Sequence, residues 1–271
     1  MQNTLACPYF RKAFGWCVPI GALGGLIGLG GGEFRLPVLL HGIGFGAKSA
    51  VPLNLMVSLV TLAFAMATRS QAVPATAVLA HWPEVLGLAA GGMASAFQGA
   101  RMANALSAAR LVHVIALLLA AIGGLMLLEV VFPFQKIDWL PGGAGLHFAV
   151  GAAIGIGIGL VSSILGVAGG ELLIPVLIFV FGADIRTAGS ASILVSLGVV
   201  LSGLWRYWRM GAIPRGRGVR RITSAMGAGS ILGAILGGLA LGYAPVEFLK
   251  LLLGSVLIAA AAKTFLARRS A

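Results

Sequence analysis

Two carboxylates and one arginine stand where an apolar chain has least use for them. Glu33 lies in GLGGGEFRLPVL (28–39) and Glu171 in GVAGGELLIPVL (166–177), 138 positions apart, and the chain has only seven acidic residues. A charge in such surroundings costs a few kcal/mol, so it marks a function. Two roles are open to each carboxylate and do not exclude one another. A desolvated carboxyl can carry a proton near neutral pH, and a glutamate in a first helical turn can cap free N–H groups. Arg35 follows the first motif's glycines, whereas its equivalent, Leu173, is apolar. Its planar fork suits an oxyanion; the other readings are a pair with Glu33 or a side chain reaching an interface.

The backbone before these side chains is equally costly. Gly30-Gly31-Gly32 and Ala168-Gly169-Gly170 can interrupt a helix in hydrocarbon only where protein or a water-filled cavity satisfies the freed groups. Each break would start a short helix, whose first N–H groups and dipole favour an anion. Breaks at equivalent places in two halves point to a transporter's midplane site; a single tight turn is the alternative. Asn54 and Ser58, four residues apart, line one helix face, and Ser192 and Ser196 repeat them. The two columns could flank the breaks or serve helix packing. Pro37 and Pro175 are structural.

A membrane explains the surroundings. Mean hydropathy is +1.02; 59% of the 271 residues are hydrophobic and 10% charged, against about 25% charged in soluble domains. The apolar blocks are long rather than alternating, which favours helices over a barrel. The net charge of +12 sits in clusters: Arg11 and Lys12, then Arg206, Arg209, Arg215, Arg217, Arg220 and Arg221, then Lys263, Arg268 and Arg269. That placement follows the positive-inside rule and suits anionic lipid headgroups; nucleic acid is not an expected partner. The first residues lack the order of a cleavable signal. Cys7 and Cys17 are expected as free thiols, and no metal or cofactor site is expected.

Residues 20–60 and 158–198 share 14 identities, where composition alone gives about 3 or 4. The chain therefore reads as two repeats, 16–132 and 144–268, after a cytoplasmic N-terminus at 1–15 and joined by a surface linker at 133–143. Apolar blocks fall at 16–29, 33–45, 49–68, 77–99 and 104–132, then 145–167, 171–182, 187–208, 222–242 and 245–267. Blocks flanking a break are too short to cross singly, so each pair is one broken helix or a re-entrant hairpin. The hairpin reading makes the repeats inverted and places Arg101, Arg110, the arginine-rich loop and both termini in the cytoplasm. The expected fold is an all-α polytopic membrane bundle of about eight segments.

Other signals are structural or accidental. Gly151, Gly155 and Gly159, like Gly229, Gly233 and Gly237, form small-residue stripes for close helix approach. GIGFGAKS (42–49) imitates a phosphate loop, but Ala47 replaces its last glycine and no strand precedes it. His41, His81, His113 and His147 lack metal-ligand spacing and read as interface or packing residues.

The doubled motif, a glycine-rich break followed by proline, resembles the sulfite exporter TauE/SafE family over nearly the whole chain. The resemblance implies a bacterial inner-membrane transporter for small organic or inorganic sulfur oxyanions such as sulfite, sulfoacetate or related sulfonates. Taken with the paired breaks, it leads us to expect a secondary transporter, not an enzyme, that exports its anion by alternating access, with the anion and membrane lipids as partners and a homodimer as the candidate assembly. The breaks, Glu33, Glu171, Arg35, Asn54, Ser58, Ser192 and Ser196 would form its site, with Glu33 and Glu171 coupling protons. The alternatives are an uncoupled anion channel or uniporter, and a membrane assembly subunit that transports nothing.

Overall fold

The computed structural model describes residues 8–102, 108–131 and 142–266, and every regular element among them is helical. In order these are α1 (Pro8–Ile27), α2 (Gly32–Pro37), α3 (Ala47–Arg69), α4 (Ala75–Leu79), α5 (Trp82–Met102), α6 (Ala108–Val131), α7 (Ala144–Leu165), α8 (Gly170–Phe179), α9 (Ile185–Arg209), α10 (Arg217–Ala240) and α11 (Val246–Leu266). A π-helical turn, Val38–Gly42, continues α2; Pro37 has no N–H for the Glu33 carbonyl, and the helix loosens there. Within the described residues, α3, α7, α9 and α10 contain stretches long and apolar enough to cross a membrane. Helices α1, α5, α6 and α11 are 20 to 24 residues long.

Two boundaries differ from the sequence reading. Helix α1 is already formed at Pro8, so the described part of the expected N-terminal segment, 8–15, is helical. The apolar block at 77–99 is two helices, because Pro83 restricts its predecessor and α5 starts afresh there. The linker core 132–141, Cys7, Arg268 and Arg269 lie outside the described residues, as do the side chains of His41, Arg101, Arg110, His113 and Lys263. Cys17 is a buried free thiol, and GIGFGAKS forms the turn into α3.

Glycine governs how the helices meet. A methyl carbon on Gly229 would lie 2.5 Å from the Phe14 carbonyl oxygen; Gly233 and Gly237 would likewise strike those of Val18 and Ala22. Four-residue steps advancing together make α1 and α10 parallel. Gly151, Gly155 and Gly159 meet the Glu84, Leu88 and Gly92 carbonyls in the same manner, so α5 and α7 are parallel too. Without side chains to hold the backbones apart, each pair gains dense dispersion contact, the form of cohesion hydrocarbon leaves available. At the centre, Gly203 meets Leu55 while Gly189 meets the Arg69 guanidinium, so α3 and α9 run in opposite directions. Helix α9 is started by Asp184, which accepts from Arg186 N (3.0 Å) and Thr187 N (3.1 Å) and fills the role of a missing turn.

The two ends of the bundle differ in charge. Arg221 lies over the Phe10 ring at 5.9 Å, and Arg209 over Trp205 at 5.2 Å. The start of α1, the start of α10 and the basic loop between α9 and α10 therefore share one end, where Trp205 and Trp208 are exposed. Exposed Trp82 and Tyr243 lie at the start of α5 and just past α10, the arrangement of aromatic belts at two interfaces.

Candidate functional site

Each break contains two glycines in left-handed backbone, which side chains resist. Gly28 and Gly31 have φ of 101° and 66°, and their equivalents Gly166 and Gly169 have 67° and 78°. The chain turns out of α1 and of α7 at these positions. Leu39, seven residues beyond Gly32, then clusters with Ala13, Cys17, Ala50 and Leu53, beside the starting portions of α1 and α3.

The two breaks touch. A methyl carbon on Gly30 would fall 2.5 Å from the Ala168 side chain, and one on Gly170 would lie 3.3 Å from the Gly28 carbonyl oxygen. Polar side chains of the following helices tie them together. Asn54 donates to the Gly32 carbonyl at 3.0 Å and to that of Gly166 at 2.9 Å, and Ser192 donates to the Gly28 carbonyl at 2.9 Å. Here is where the freed backbone groups go, as a low-dielectric setting demands.

Arg35 is completely buried. Nη1 donates to Thr61 Oγ1 at 2.6 Å and Ser230 Oγ at 3.0 Å; Nη2 donates to Ser58 Oγ at 2.7 Å and to the Gly30 carbonyl. Nε has no hydrogen-bond partner. These four partners are neutral dipoles, which accept from Nη1 and Nη2 and carry no charge to offset that of the guanidinium. The reading of Arg35 as a side chain reaching an interface does not fit this position. Glu171 is buried and Glu33 half-buried, both in the first turns of α8 and α2.

The halves differ most in what stands opposite the serines. Ser58 accepts from Arg35, whereas its equivalent Ser196 belongs to the half in which Leu173 replaces that arginine, and its hydroxyl is buried without a partner. Ser162 beside Gly169 is also unpaired, as is Asn54 Oδ1. Next to the second break, Ser162, Ser163 and Tyr207 border a cavity of about 10 Å³, room for roughly one water.

Several partners were missed in the sequence. Thr61 extends the Asn54–Ser58 column by three residues and could have been found by helical spacing. Ser230, 195 positions from Arg35, gave no local signal. Arg69, also buried, donates from Nη1 to Gly25 O (2.9 Å) and Leu26 O (2.7 Å), from Nη2 to Arg186 O (2.8 Å) and from Nε to Ser190 Oγ (3.1 Å). It caps the last carbonyls of α1, where a cation is favoured. His147, read as a packing residue, brings Nδ1 within 2.5 Å of Glu84 Oε1, and Glu84 is 4% exposed. Among the described residues no group of acidic, histidine or cysteine side chains could hold a metal.

No curated protein and no solved structure matches the chain. The family model for "Sulfite exporter TauE/SafE" matches residues 13–188 and 151–271, which include both breaks and nearly all the described helices. This multi-pass helical membrane protein therefore belongs to the sulfite exporter TauE/SafE family, a family of membrane transporters.

Proposed function

We propose that the protein is a secondary transporter that exports a small sulfur oxyanion, such as sulfite or a short sulfonate, across the bacterial inner membrane by alternating access at the paired breaks. The observation that carries this reading is Arg35: a fully buried guanidinium beside a helix break, hydrogen-bonded only to neutral hydroxyls and a carbonyl, with Glu33 the carboxylate that acts on its charge. A buried charge is costly unless a counter-charge accompanies it, and a transported anion is a counter-charge that comes and goes. Gly30, Gly31 and Gly32 with Ala168, Gly169 and Gly170 form the walls of the site; Asn54, Ser58, Ser192 and Ser196 supply polar contacts, and Glu33 and Glu171 exchange protons.

The same geometry supports two inverted repeats. The chain folds back after each break, α1 and α10 are parallel, α5 and α7 are parallel, and α3 opposes α9. With re-entrant pairs, the basic end that holds Arg11, Lys12 and Arg217 through Arg221 faces the cytoplasm, and both termini lie there. Rocking of one unit against the other would separate Gly30 from Ala168 and admit the anion.

The test is thermal unfolding of purified protein with sulfite, sulfate, thiosulfate and short sulfonates, followed by flux into proteoliposomes. One sulfur oxyanion is expected to stabilise the protein, and Arg35→Gln is expected to abolish that shift. Saturation and counterflow identify a carrier; sustained current identifies a channel. No anion-specific shift and no flux would overturn the reading.

A further inference from the structure

A cavity of about 690 Å³ lies away from the breaks, between α3, α10 and the loop before α10. One wall is Leu53, Met56 and Val60 of α3, and Ile231 of α10 also lines the cavity. At the basic end, Arg215, Arg217 and Arg220 border it. From Arg217 to Ile231 the groove follows α10 for about 21 Å at 1.5 Å per residue.

Comparison of the halves shows that this face lacks a cover present in the other. Helix α4 packs on α9 and buries Val78. The segment 138 positions later is Ile213-Pro214-Arg215-Gly216-Arg217, whose proline and glycine resist a helix; its residues line the groove instead. The start of α10 adds two unmet demands. Gly216 caps it with no side-chain bond and its first turn has no acidic residue, so arginines and free N–H groups converge with no anion beside them. Thr223 Oγ1, deeper in the groove, is buried without a partner.

We propose that this groove is a binding site for one anionic phospholipid, its phosphate held by Arg217, Arg220 and the start of α10 and an acyl chain lying along the apolar wall. A free oxyanion would satisfy the arginines but leave three turns of apolar wall without a partner; a zwitterionic lipid would cover the wall but leave the charge unanswered. The proposal does not depend on transport or on Arg35.

The test uses the full chain in detergent, with unfolding followed as phosphatidylglycerol or phosphatidylcholine is added, and with inorganic phosphate as an anion lacking a chain. Phosphatidylglycerol is expected to raise the midpoint by about 4 °C, with no shift from the other two. Gly227 lines the groove, and a methyl carbon there would meet nothing within 4 Å. Gly227→Leu therefore fills the groove without disturbing packing and is expected to lose the shift, as is Arg217→Gln/Arg220→Gln. Mass spectrometry of the purified protein should find phosphatidylglycerol retained by the wild type and lost from Gly227→Leu. An equal shift from phosphatidylcholine, a shift reproduced by inorganic phosphate, or a shift surviving in Gly227→Leu would overturn the proposal.

Discussion

Asn54 and Ser192, 138 positions apart, make the same bond in opposite senses: each stands on the helix after one break and donates to the first glycine carbonyl of the other, at 2.9 Å in both cases. The centre is thus held by reciprocal contacts between halves.

Replacing either residue by alanine leaves a buried carbonyl without its donor, at a cost of about 1–3 kcal/mol. Asn54→Ala should be the more damaging, because Asn54 also serves the Gly32 carbonyl. Thermal unfolding in detergent checks the order; a larger loss for Ser192→Ala would contradict it.

Gly30 and Ala168 share space for one methyl group. Gly30→Ala puts two methyl carbons 2.5 Å apart, overpacking that costs about 1–3 kcal/mol. Adding Ala168→Gly should restore stability, since Gly30 is not among the glycines in left-handed backbone. Failure of the double variant to recover, measured by unfolding midpoint, would mean that the methyl collision is not the cause.

Arg35→Leu removes donors from Gly30, Ser58, Thr61 and Ser230 at once. The expected loss is about 1–3 kcal/mol, the scale for leaving buried polar groups without a donor. Arg35→Lys keeps the charge but not the planar fork, so it should fall between wild type and Arg35→Leu. Equal midpoints for the two variants would show that charge contributes nothing there.

Glu84 and His147 join α5 to α7 at 2.5 Å. Removal of His147 alone leaves a buried carboxylate unanswered, whereas removal of both does not. A double-mutant cycle with Glu84→Gln and His147→Ala should therefore give a coupling of about 1–3 kcal/mol. Additive effects would mean that the contact adds no stability.

The breaks are legible in the sequence because hydrocarbon makes glycine runs and carboxylates conspicuous, and because duplication repeats them. The glycine stripes are legible for the same reason, and each stripe meets carbonyls on a neighbouring helix. The partners of Arg35 are not, because Ser230 comes from the other half and only the packing of α10 on α1 brings it close. Glu84 and His147 escape notice since neither has a repeat equivalent of its own chemistry: the matching positions are Ile222 and Tyr9. Self-comparison exposes an unmatched residue only inside a matched motif, as with Arg35 against Leu173, and Glu84 and His147 lie outside the motifs.

The pairing of α1 with α10 also sets a schedule for biogenesis. Helix α1 emerges before α10, its glycine-matched neighbour, which begins about 200 residues later, a delay of roughly 10–40 s at 5–20 residues per second. Over that interval the Phe14, Val18 and Ala22 carbonyl face has only lipid or the insertion machinery beside it. The halves are consequently interleaved rather than sequential, and the first cannot be completed in the membrane until α10 of the second has been made.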